Sequence, residues 1–212
     1  MVEEAGPLNT KKGQNIIQAT YETIVERGLC DMTTKMISQR AEASKGLIHY
    51  YFENKETLVV EVIRTVLEGL LATVSGVMEN YPSNEERIDN GLNDFWEGFK
   101  ADPGIMIAIY EATINGRRNP AILEKMIEFY RRVAEQLEET VLASQDLPAS
   151  VSHKDIQAVV SIILWVIEGM TLHYILDPET TDFKYSLETF KKAAKAMLYR
   201  PEALASQPDE TT

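Results

Sequence analysis

Thr33–Leu58 reads TTKMISQRAEASKGLIHYYFENKETL, and its punctuation places two short helices around a tight turn. Thr33 or Thr34 caps a helix reaching about Arg40, Ser44 caps another running to Tyr51 or Phe52, and only Ala41, Glu42 and Ala43 lie between. A turn of that length is found in helix-turn-helix units, whose second helix lies in the DNA major groove. The N-terminal end of such a helix meets base edges and needs polar, aromatic or small groups there. Lys45, Gly46, His49 and Tyr50 supply them: Lys45 can donate to a guanine edge or a phosphate, Gly46 permits close approach, and His49 and Tyr50 can hydrogen-bond or stack. Thr33 and Thr34 sit at a helix N-terminus, where free N–H groups suit a phosphate oxygen, and Lys55 does the same one helix later. Other readings stand beside these. Leu47 and Tyr51 are further candidates for DNA contact; yet Thr33 can be a cap only, Lys45 a solvated lysine, and Leu47 and Tyr51 part of the small core that Ile48 and Phe52 are expected to fill.

Outward from this stretch the periodicity is helical and no segment alternates as a strand should, so the chain is expected to be all-α. A first helix from about Thr10 to Arg27 carries Ile16, Ile17, Ala19, Thr20, Ile24 and Val25 as a stripe, and Gly28 supplies a left-handed stop. Asn54 caps a long fourth helix. Ser83 with Glu86, Asp102-Pro103, Asn119-Pro120 and Ser152 with Asp155 open four more, and a last runs from about Phe183 to Leu198, nine in all. Asn115-Gly116, Asp146-Leu147-Pro148 and Asp177-Pro178 mark helix ends. The first eight residues and the polar tail 201–212 are expected to be disordered.

The net charge of −12 argues against a nucleic-acid partner only until it is mapped. Residues 8–57 hold 7 Lys and Arg against 6 Asp and Glu, whereas residues 58–212 hold 14 against 25. The acidity belongs to the C-terminal part. A single cysteine, Cys30, rules out an intramolecular disulfide, and Met1 is not followed by a secretory pattern, so a reducing cytoplasm is the expected compartment. The most apolar window, Ile162 to Leu176, is shorter than the roughly 20 residues that span a bilayer and carries Glu168 and His173, so no membrane anchor is expected.

Gly28, Thr33-Thr34, Ile37, Ala41, Ser44, Gly46, Leu47, Tyr50 to Phe52 and Lys55 to Leu58 together resemble the TetR family of bacterial transcriptional regulators. The run Ile48–Phe52, IHYYF, is similar to that of its choline-responsive, BetI-like branch. The chain departs from the family in the turn, where Glu42-Ala43 stands in place of Gly-Val. If residue 42 needs a positive φ, glutamate costs about 1 kcal/mol there relative to glycine, and it brings a negative charge near the phosphates.

The resemblance implies a helix-turn-helix DNA-binding domain over residues 9–53 and a ligand-binding and dimerisation domain over 54–200. It implies a homodimer whose last two helices form a four-helix interface, here through Val159, Ile163, Ile167, Phe190, Ala194 and Met197. A two-fold dimer sets two recognition helices about 34–36 Å apart and so expects a palindromic operator in double-stranded DNA. It also implies repression relieved by a small-molecule effector. Candidate pocket residues are Trp96, Phe99, Met106, Tyr110, Trp165, Met170, His173 and Tyr174, with Glu168 as the polar contact, a set suiting a lipophilic or cationic ligand; ordinary core packing is the other reading of the aromatic stripe.

Enzyme motifs are absent: no GxSxG, no Gly-rich phosphate loop, no HExxH, and no histidine near Cys30 in sequence. No enzyme activity, cofactor or metal is expected. His153 and His173 suit a helix cap and a helix surface. A helical adaptor that binds protein or ligand without reading DNA is the rival class; it predicts no salt-dependent DNA affinity.

Overall fold

A computed structural model describes residues 10–199; both stretches expected to be disordered lie outside this range, as do residue 9 and residue 200. The described residues form nine helices and no strand. They are α1 Lys11–Asp31, α2 Thr34–Arg40, α3 Lys45–Tyr51, α4 Lys55–Asn80, α5 over 84–101, α6 Gly104–Gly116, α7 Pro120–Leu142, α8 His153–Leu176 and α9 Phe183–Tyr199. The fold is all-α with an N-terminal helix-turn-helix.

Local hydrogen bonds explain why the helices begin where they do. The hydroxyls of Thr10, Thr33, Ser44, Ser83 and Ser152 accept from backbone N–H groups three residues on, and Asn54 and Asn119 do the same with side-chain carbonyls. Each satisfies a donor the helix itself cannot. Ser83 with Glu86 and Ser152 with Asp155 form complete capping boxes. Two ends differ from expectation. Gly28 is left-handed (φ 76) yet only kinks α1, which resumes to Asp31, and α7 stops at Leu142, four residues before Asp146.

The chain divides into two compact units, residues up to 71 with 102–129, and 72–101 with residues from 130 on. This is not the functional boundary at residue 53 expected from the sequence. In the first unit α1 packs along α6, and Ile16, Ile24, Ile37, Phe52, Leu58, Val62 and Ile109 are fully or almost fully buried. In the second, α9 packs on α8 over a core of Ile88, Ile156, Val160, Phe190, Ala194 and Leu198. Helix α5 contains a π-helical turn at Arg87–Gly91, a feature frequent at functional sites. Gly91 is required there: a Cβ on it would lie 2.6 Å from Val77 Cγ1.

Helix α8 runs to 24 residues, and an 18-residue window of it has a mean hydropathy of 1.8, so by length and composition alone it could cross a membrane. Its Ile156, Val159, Val160, Ile167 and Thr171 are instead buried in the second unit.

Asp146, in the loop after α7, is a capping hub for that unit. Burial pushes its pKa up, but the Ser144 and Tyr199 hydroxyls and the Asn84 and Glu85 backbone N–H groups outweigh it and hold the carboxyl at about 2 against an ordinary 3.8. With the folded-state value depressed, the stabilisation is complete above 3.8 and is lost as pH falls towards 2. Asp146→Asn should therefore be less stable than the parent at neutral pH, and urea titrations should show the gap closing between these two values.

Candidate functional site

The helix-turn-helix is held by apolar contacts below and polar contacts along its turn. Ile37 of α2 and Ile48 of α3 are buried at 0% and 3% exposure, with Phe52 just beyond α3 at 2%. In the turn, Ala43 N–H donates to Ser38 O at 3.0 Å while Ser38 Oγ donates to Ala43 O at 2.7 Å. Glu42 has φ 49, the one non-glycine residue with positive φ among those described. The departure from glycine at this position thus falls on the residue that most needs it.

On the opposite face of α3, Lys45, Gly46, His49 and Tyr50 are exposed, Tyr50 at 70%. Residues 45 and 49, and 46 and 50, are one turn apart and share a surface. Leu47 and Tyr51 are half-buried, and Tyr51 meets Tyr50 edge-on at a centroid distance of 5.2 Å. Thr33 accepts from Met36 N–H as the cap of α2, and Thr34 is half-buried in the first turn. The expectation for Lys55 needs correction. Its Nζ donates to Met32 O at 2.5 Å and Leu29 O at 3.4 Å, so it ties down the chain between α1 and α2 rather than projecting toward phosphate. Lys12 and Lys35, missed in the sequence, are exposed and form no ion pair within the described residues, whereas Arg40 is committed to Glu26 and Glu22.

The expected pocket residues do not gather around one cavity. Trp96, Phe99 and Tyr174 pack with Phe183, centroids 5.3–5.6 Å apart, into a filled aromatic cluster. Trp165 is 67% exposed, His173 is exposed, Glu168 and Met170 are half-exposed, and Met106 and Tyr110 belong to the first unit. Open space in the second unit lies elsewhere, in two apolar cavities of about 80 and 100 Å³ that share Met78, Arg87, Leu92, Leu137 and Ile163. Arg87 donates to Met78 O, Asn84 Oδ1 and Thr140 O at 3.0–3.4 Å and has no ion-pair partner among the described residues. A largely apolar wall whose polar side chains are Arg87, Asn84 and Thr73 carries no negative charge and does not favour a cation.

The interface assignment also needs correction. Val159, Ile167, Phe190 and Ala194 are buried within the chain's own core, and Ile163 and Met197 are half-buried. Surface already removed from water has little left to bury against a partner. The uncovered apolar groups of α8 and α9 are Trp165, Leu172 and Leu176 and, at 70% exposure, Tyr185.

Comparison with known proteins agrees with the N-terminal geometry. The family model for bacterial regulatory proteins, tetR family, matches residues 16–62. The HTH-type transcriptional regulator BetI of Vibrio atlanticus is 33% identical over 89 residues, 41% of this chain and 44% of that one. The BetI of Vibrio parahaemolyticus is 25% identical over 169 residues, covering 77% and 80%. A transcriptional regulator from Rhodococcus has the same fold, with a TM-score of 0.75 at 17% identity over 91% of this chain and 97% of that one.

Replacing Glu42 by glycine should relieve the positive-φ cost, raising stability by about 1 kcal/mol, and should tighten DNA binding at low salt by removing a charge from the turn. Thermal melts and gel shifts of Glu42→Gly beside Glu42→Gln would separate the two effects, since only the first variant alters the backbone.

Proposed function

We propose that the chain, a regulator similar to the tetR family of bacterial regulatory proteins, is a ligand-responsive repressor that binds a palindromic operator as a cytoplasmic homodimer. The observation that carries the DNA reading is the two-sidedness of α3: Ile48 is buried, while Lys45, Gly46, His49 and Tyr50 are presented together. Residues 9–53 would read DNA and residues 54–200 would bind effector and partner.

For the dimer, the uncovered groups Trp165, Leu172, Leu176 and Tyr185 offer a better face than the buried set first assigned. For the effector, the paired cavities beside Arg87 favour a small lipophilic molecule over a cationic one, although the BetI likeness would suggest choline. Helix α4 runs without a break from residue 55 to residue 80, from the start of the proposed effector domain past the cavity residue Met78. Ligand entry would tilt it and move the paired recognition helices out of register. The ligand must bind the released state more tightly, because equal affinity for both states shifts nothing.

Footprinting upstream of the protein's own gene should reveal a protected palindrome, and binding should weaken steeply with salt. No protection and no salt dependence would favour a helical adaptor. His49→Ala should cost about 1–3 kcal/mol on the operator and relax its sequence preference, while Lys45→Ala should weaken all sequences alike if Lys45 contacts phosphate. Trp165→Asp with Tyr185→Asp should yield a folded monomer by sedimentation; a dimer in that variant would place the interface elsewhere.

A further inference from the structure

The chain that enters the recognition unit is gripped by a carboxylate from far along the sequence. At Gly28 (φ 76, ψ 163) α1 breaks, and a break strands backbone N–H groups that would have bonded within the helix. Leu29 N–H donates to Glu111 Oε2 of α6 at 3.0 Å across 82 residues, a charge-assisted bond. Asn115 steadies that carboxylate: its Nδ2 donates to Glu111 Oε2 at 3.3 Å, and its Oδ1 accepts from Cys30 Sγ–H at 3.4 Å. The fit is close, since a Cβ on residue 28 would lie 3.3 Å from Glu111 Oε1. From another helix, Lys55 holds the carbonyls of Leu29 and Met32. Thr33, the cap of α2, follows Met32 directly. Residues 28–32 are therefore clamped by α6 and α4 immediately before the helix-turn-helix.

We infer that Glu111 is a positioning residue for DNA binding: by accepting Leu29 N–H it fixes the α1 break and hence the direction in which α2 and α3 are presented. It touches no DNA, and the inference rests on the DNA-reading function proposed above. Without the clamp the segment samples several directions, only some competent to dock, and apparent affinity falls by the competent fraction. In a two-fold dimer both half-sites are affected. The number of phosphate contacts in the bound state is unchanged, so the loss should appear as a parallel shift in a plot of log K against log salt, whereas a lost phosphate contact would lower the slope by about 0.9.

The test compares the full chain with Glu111→Ala, Glu111→Gln and Gly28→Ala on the footprinted operator across a salt series, with melting curves and amide exchange at Leu29. Glu111→Ala and Gly28→Ala should each weaken binding by about tenfold or more at constant salt slope and speed Leu29 exchange, while Glu111→Gln, which keeps an acceptor oxygen, should stay within about threefold. Unaltered operator affinity in Glu111→Ala overturns the inference. So does a loss that merely follows the fraction folded, or a changed slope. If the parent protein binds no DNA, the proposed function fails, and Leu29 exchange then decides the clamp alone: protection unchanged in Glu111→Ala would remove it.

Discussion

Helices of seven residues do not hold themselves together in water, and both helices of the recognition unit are that short. Their orientation must come from outside, through the burial of Ile37, Ile48 and Phe52. Such burial uses one face of each helix and leaves the other for a partner. Losing an Ile side chain from such a core typically costs about 2–5 kcal/mol, more than the turn's own hydrogen bonds could offset. The turn therefore tolerates the strained Glu42, and the exposed Lys45, Gly46 and His49 of α3 are left out of the core.

The second unit solves a different problem, how to leave room inside a bundle without collapse. Four of its aromatic residues, Trp96, Phe99, Tyr174 and Phe183, fill space against one another, while Phe95 borders the larger of the two cavities. Room appears where the α5 backbone changes pitch at Arg87–Gly91, and where Arg87 holds carbonyls at Met78 and Thr140 apart from the apolar wall. Asp146 binds the start of the same helix through Asn84 and Glu85. A polar frame around an apolar gap keeps its helices fixed when the gap is empty.

What could be read in the sequence was local. Caps and stops depend on residues three or four apart, so Ser83 with Glu86 and Ser152 with Asp155 announced their helices, and Lys45, His49 and Tyr50 were legible on one face of a short, well-phased helix. Facing was not legible in α8, because a helix apolar nearly all round has no phase: Val159 and Ile167 turned inward and Trp165 outward against expectation. Lys55 illustrates a different limit. Its position at a helix start suggested phosphate, but a long flexible side chain takes whichever oxygen is near, and two carbonyls were nearer. No sequence signal joins Leu29 to Glu111, since their bond exists only once α1 and α6 lie together.

The charge distribution sets how these parts must cooperate. A recognition unit of nearly balanced charge on a chain of net −12 gains little from non-specific attraction to DNA. In the dimer proposed above, each unit would hold its half-site weakly, and useful affinity would come from two units bound at once, the second acting at high effective concentration. That gain exists only if both helices meet successive grooves together, so it is sensitive to anything that blurs their direction. In the dimer proposed above, the low charge of each recognition unit would make the pair responsive: a small change at residues 28–32 or along α4 would forfeit the paired term, and little electrostatic attraction would remain to keep the protein on DNA.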